Sequence, residues 1–131
     1  MVAKTLIRGS IFRAAYGVLA LLLPNLLVKL AGMQPEQIDQ DARYFNRLFG
    51  GRDLVVAGAT VAAAKAGAER EALKANIFCE LTDSISIIEE LRAGRGFDQT
   101  LAIAVGFNVI GYLTWLKALR ALRSGGDDAA S

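Results

Sequence analysis

The sequence predicts an all-α protein: a four-helix transmembrane bundle whose first helix is interrupted by a proline. Three observations carry that expectation. The 131 residues are 53% hydrophobic and only 21% charged, with a mean hydropathy of +0.35, at or above the top of the usual range of soluble domains. Four apolar segments of helical length follow one another, and no stretch shows the two-residue alternation of a strand. The last segment, Gln99 to Leu116, runs eighteen residues without a charge.

The first segment covers Ile11 to Gly32. Its uncharged run, Ala14 to Val28, is fifteen residues long and is flanked by Arg13 and Lys29, both long enough to reach toward head groups. Pro24 bends or ends the helix, because proline has no N–H to donate. Asn25 to Gly32 then reads as a short amphipathic continuation near the interface. Basic residues ahead of an apolar run also mark secretory signals. The sequence beyond Pro24 stays apolar, though, and no small-x-small cleavage site follows, so the segment reads as a retained helix. Met33 to Ala42 is the one clearly polar loop.

The second segment, Arg43 to Ala66, opens with charges and continues as Val, Ala and Gly. Gly58 and Ala62 stand four apart, the small-residue spacing that lets helices approach closely in lipid. In the third, Glu69 to Leu91, Leu73, Ile77, Leu81, Ile85 and Ile88 form one apolar stripe and Asn76, Glu80, Asp83 and Glu90 an opposite polar one. Such a helix either turns its polar side into a bundle or belongs to a soluble amphipathic protein. The fourth segment places Tyr112 and Trp115 beside Lys117, Arg120 and Arg123, as interfacial aromatics and anchors stand. Asn108 is positioned to hydrogen-bond across the bundle, with Gly106 and Gly111 as packing residues. One domain is expected over 1–123, with a disordered tail over 124–131. With four spans, nine basic residues fall on the side of the termini and six on the other, which places both termini in the cytoplasm.

The net charge of +2 gives no basic surface for nucleic acid, and the chain has no histidine and a single cysteine, Cys79. No metal set, nucleophilic triad or phosphate-cradling glycine loop can be assembled, so no metal, cofactor or catalytic residue is expected. The informative chemistry is a charge constellation. Arg47, Arg52 and Asp53 open the second segment, and Glu80, Asp83 and Glu90 lie in the second half of the third. Arg52 lies fifteen residues before Gly67 and Asp83 sixteen after it, so an antiparallel hairpin turning at Gly67 brings them to one depth. Arg47 falls at the level of Ile87 to Glu90. The constellation reads as an ionic staple between helices, with two alternatives: an anion or lipid-phosphate site, or proton transfer by the carboxylates.

The order "YGVLALLLPNLLVKLAG", "RLFGGRDLVVAG" and "REALKANIFCELTDSISII" resembles a group of small four-helix bacterial membrane proteins of unknown function. In that group an Arg-x-x-Gly-x-Arg-Asp element opens the second helix and an aspartate lies within the third. Arg47 to Asp53 fits the element without a gap, and Asp83 fits the later aspartate. The resemblance implies four spans in the inner (plasma) membrane of a bacterium and a shared role for Arg52, Asp53 and Asp83, but no activity. The expected function is a non-enzymatic, multi-pass membrane subunit that assists a larger complex such as a transporter. It would contact membrane lipid and either a protein partner or a second copy. A lipid- or small-hydrophobe-binding protein and a soluble helical bundle are the alternatives.

Overall fold

The computed structural model describes residues 2–34, 36 and 38–127, with side chains as far as Leu122. Within them the chain forms five helices, α1 (Val2–Leu22), α2 (Pro24–Leu30), α3 (Gln40–Lys65), α4 (Glu69–Arg92) and α5 (Gln99–Asp127), with no strand among the described residues. The expectation of four transmembrane helices is therefore corrected. Five helices are present, and only α1 and α5 are long and apolar enough to cross a membrane. The reason for the extra helix is local. Leu23, pushed out of helical geometry by the proline that follows it, adopts φ −128° and ψ 53°, and Pro24 starts α2 as its first residue. The reason for the missing spans is charge: α3 and α4 carry Arg52, Asp53, Glu80 and Asp83 in their middle thirds. Helix α5 also continues through Ser124 to Asp127, where the sequence predicts a tail, and the end of that tail (128–131) lies outside the described residues.

The other boundaries follow from capping. Asp39 accepts the Ala42 amide at 2.8 Å and opens α3 inside the expected loop. Asp98 does the same for α5 through the Leu101 amide at 2.8 Å, and that bond, with Arg95 beside it, holds the Asp98 carboxyl below the usual carboxylate range. α3 and α4 stop at glycines with φ of 75° and 88°, Gly67 and Gly94. At each, the following residue donates back across the last turn: Ala68 to Ala63 and Arg95 to Glu90.

α1 and α4 run one way, α3 and α5 the other, so the N-terminus, the α3–α4 turn and the end of α5 share one end of the molecule. α1 and α3 share the most extensive interface. It is close because of two glycines: a Cβ on Gly17 would stand 2.7 Å from the Gly50 carbonyl, and one on Gly50 would stand 2.6 Å from the Ala20 methyl. The close approach expected at Gly58 and Ala62 is thus misplaced. Both are exposed, and a Cβ on Gly58 meets nothing, because α3 buries the face through Gly50, Asp53, Ala57, Thr60 and Ala64.

The interior mixes apolar and polar groups. The apolar cluster is small, Leu6, Ala64, Ala72, Leu73, Trp115 and Ala118, and lies near the end that carries the termini. Among the described residues, ten hydrophobic residues are buried while twenty-five large ones are exposed, and Ser10, Asp53, Thr60, Asn76 and Glu80 are inside. The exposed large residues are spread over all five helices and include Leu22, Val55, Phe78 and Leu113, each more than 60% exposed. α4 divides along its length: Leu73 of the predicted apolar stripe is fully buried near the end that carries the termini, and the exchange of faces begins farther along. Asn76 and Glu80 are buried, whereas Leu81 and Ile85 on the predicted apolar stripe are 47% and 51% exposed.

Candidate functional site

At mid-height the four long helices meet in an ion cluster. α1 supplies Arg13, α3 supplies Arg52 and Asp53, α4 supplies Glu80 and Asp83, and α5 supplies Asn108 and Trp115. Arg13 lies on the small-residue face of α1, in phase with Ser10, Gly17 and Ala20, so its side chain enters the interior without a bulky neighbour in the way. Its Nη2 donates to Glu80 Oε1 at 2.8 Å, and its Nε lies 3.9 Å from Asp53 Oδ1.

Glu80 gathers three donors. Arg13 and the Trp115 indole, at 3.2 Å, both reach Oε1, and Asn108 Nδ2 reaches Oε2 at 3.3 Å. Asn108 is held in turn, its amide donating to the Glu80 carbonyl at 2.8 Å and Ser84 Oγ standing 2.8 Å from its Oδ1. α5 approaches Glu80 at Gly111, where a Cβ would land on the carboxylate. One helical turn toward the other end, Arg52 forks onto Asp83, with Nη1 to Oδ1 at 2.6 Å and Nη2 to Oδ2 at 3.2 Å. The same Nη2 donates to Asp53 at 3.2 Å, and the guanidinium carbon sits 5.4 Å over the Phe49 ring. Below the cluster, Asn76 bridges α4 to Thr60 of α3 at 2.8 Å while donating to its own Ala72 carbonyl.

The predicted Arg52–Asp83 pair is therefore present, and Asp53, Glu80 and Asn108 join it. Arg47 and Glu90 do not. Arg47 turns back toward α1, its Nε donating to the Leu21 carbonyl at 3.4 Å, and Glu90 pairs on the surface with Arg95. Two residues that sequence reasoning placed elsewhere complete the site. Arg13, expected at the interface, is inside, and Trp115, expected as an interfacial anchor, is 4% exposed. The signal for Arg13 was its phase with Ser10, Gly17 and Ala20. For Trp115 none was available, because the same residue beside the same lysine fits either place.

The cluster is not balanced. Two guanidinium groups, Arg13 and Arg52, face three carboxylates, Asp53, Glu80 and Asp83, and no further cation pairs with those acids among the described residues. Each arginine has a close partner of its own, so Asp53, held only at 3.2 and 3.9 Å, is the surplus member. An unbalanced charge in a poorly hydrated interior is costly. Asp53→Asn is accordingly expected to leave stability unchanged or raise it. Asp83→Asn breaks the bidentate pair and is expected to lower it by about 1–2 kcal/mol, discounted because both partners are about one-third exposed. Thermal unfolding of both variants in one detergent, followed by circular dichroism, checks the ordering, and a destabilised Asp53→Asn would refute the imbalance.

Chemically the arrangement binds helices together. Each charged side chain faces another, no nucleophile stands beside a base, and no group of three metal-ligating side chains occurs among the described residues. Comparison with family models, with curated proteins and with solved structures finds no match.

Proposed function

We propose that the chain is a multi-pass integral-membrane protein that acts without catalysis, as an accessory or assembly subunit of a larger membrane complex such as a transporter. The observation that carries this reading is an ion cluster inside the bundle together with twenty-five large apolar side chains exposed among the described residues. Water does not support that arrangement, whereas hydrocarbon does, since it rewards apolar contact and penalises an unpaired polar group. α1 and α5 provide the two spans, and α3 and α4 are held against them by the cluster.

The termini lie at one end. With Arg13 and Arg52 committed to the interior, eight basic residues remain on the side of the termini and five on the other. The bias orients the termini toward the cytoplasm. The subunit role rests on α4. It turns Phe78, Leu81 and Ile85 outward and is too charged to be a span by itself, so neighbouring helices would stabilise it in the membrane. Extraction of native membranes with alkaline carbonate is expected to leave the protein in the pellet, and photo-crosslinking from Leu81 or Ile85 to capture a protein. Release into the carbonate supernatant would overturn the membrane reading. A strictly monomeric species with no crosslinked partner would overturn the subunit role.

A further inference from the structure

We infer that the groove between α2 and α3 is a binding site for the phosphate of an anionic phospholipid. It has a volume of about 420 Å³ and is lined by the end of α1, by α2, and by Arg43 and Arg47 of α3. Three cations converge there, Lys29, Arg43 and Arg47, and the lining contains no carboxylate. Among the described residues none of the three forms an ion pair, in contrast to Arg13 and Arg52, which carboxylates already occupy. Asp39, the nearest acid before α3, is turned to the Ala42 amide.

Arg47 anchors through Nε to the Leu21 carbonyl and Arg43 through Nη1 to the Ile38 carbonyl. Each therefore keeps further guanidinium nitrogens for an outside anion. Guanidinium groups held in this way suit the tetrahedral oxygens of a phosphate.

The apolar half of the site selects a lipid over a free anion. Leu22, Leu23 and Leu26 line the same groove and are 72%, 49% and 46% exposed, giving acyl chains a surface directly below the cations. The depth agrees. α1 has 21 residues, about the thickness of a hydrocarbon core at 1.5 Å per residue, and the groove lies at its end, at head-group level. This inference rests on the membrane reading and moves the anion site away from Arg52, which sequence reasoning had included.

The test uses the full chain in a mild detergent, with native mass spectrometry counting retained lipid after addition of phosphatidylglycerol or phosphatidylcholine. Phosphatidylglycerol is expected to be retained preferentially. Lys29→Gln, which removes a side chain with no ion-pair partner among the described residues, is expected to weaken that retention roughly fivefold. The triple variant with Arg43→Gln and Arg47→Gln is expected to abolish the preference. Arg92→Gln with Arg95→Gln, a loss of two charges at the same end, is expected to leave it intact. Equal retention of the two lipids, an equal loss in the Arg92/Arg95 variant, or displacement by millimolar inorganic phosphate would each overturn the site. Those outcomes leave carbonate resistance unaffected, so failure of the lipid site and failure of the membrane reading are separable.

Discussion

Arg13→Met is expected to destabilise the protein by about 3–5 kcal/mol, the range for removing one partner of a buried ion pair. The substitution keeps the length and apolar stem of the side chain, so the loss reports charge and hydrogen bonding and not a cavity. Among the described residues, Glu80 would retain Trp115 and Asn108 but lose its only close cation, while Asp53 would lose one of its two. Three carboxylates would then face Arg52 alone. Adding Asp53→Asn to Arg13→Met should recover part of the loss, since it removes the carboxylate with the weakest remaining contact. Unfolding midpoints of the two single variants and the double variant check this, and strict additivity would show that Arg13 and Asp53 do not share one cluster.

Gly50→Val is expected to cost about 1–3 kcal/mol by overpacking, at the upper end of that range because backbone stands in the way. The added side chain would meet the Ala20 methyl and the Gly17 carbonyl, and neither can rotate aside as the far end of a long side chain would. α1 and α3 would have to separate, which also lengthens the Tyr16–Asn46 bond and draws Asn46 from the Pro24 carbonyl. Gly51→Val is the control. A Cβ at Gly51 meets nothing within 4 Å, so only the small difference in helix propensity applies. If the two variants unfolded at the same midpoint, the close approach of α1 and α3 would be disproved.

Much of the site was legible in the sequence because charge and spacing are local facts. The nearly equal distances of Arg52 and Asp83 from Gly67, fifteen and sixteen residues, place them at one depth whatever surrounds the hairpin, and they do meet. Pro24 breaks the first segment for a reason contained in its own ring. What could not be read is the choice of inward face. In α4 the apolar stripe and the polar stripe are equally regular, and hydropathy marks the first as core in water and as surface in lipid. Glu80 and Asn76 inside, with Leu81 and Ile85 outside, answer a question the periodicity leaves open. The same ambiguity hid Arg13 and Trp115, and it made Gly58 and Ala62 look like a contact when α3 turns them outward. The helix count failed for a smaller reason: a proline that ends a helix and one that bends it look alike until Leu23 is seen outside helical geometry.

The separation of Arg13 from Glu80 by 67 residues has a consequence for biosynthesis. Arg13 leaves the ribosome with the first helix, when none of its acidic partners has been translated. Asp53 arrives first and offers only a distant contact, and the close acceptor follows a helix later. Trp115 and Asn108, which complete that acceptor's shell, come last. On the proposed membrane reading, the first helix therefore carries a charge it cannot neutralise through much of synthesis. The close pair can form once α4 is made and its shell closes with α5, so on that reading the order of residues itself favours inserting the helices as one unit.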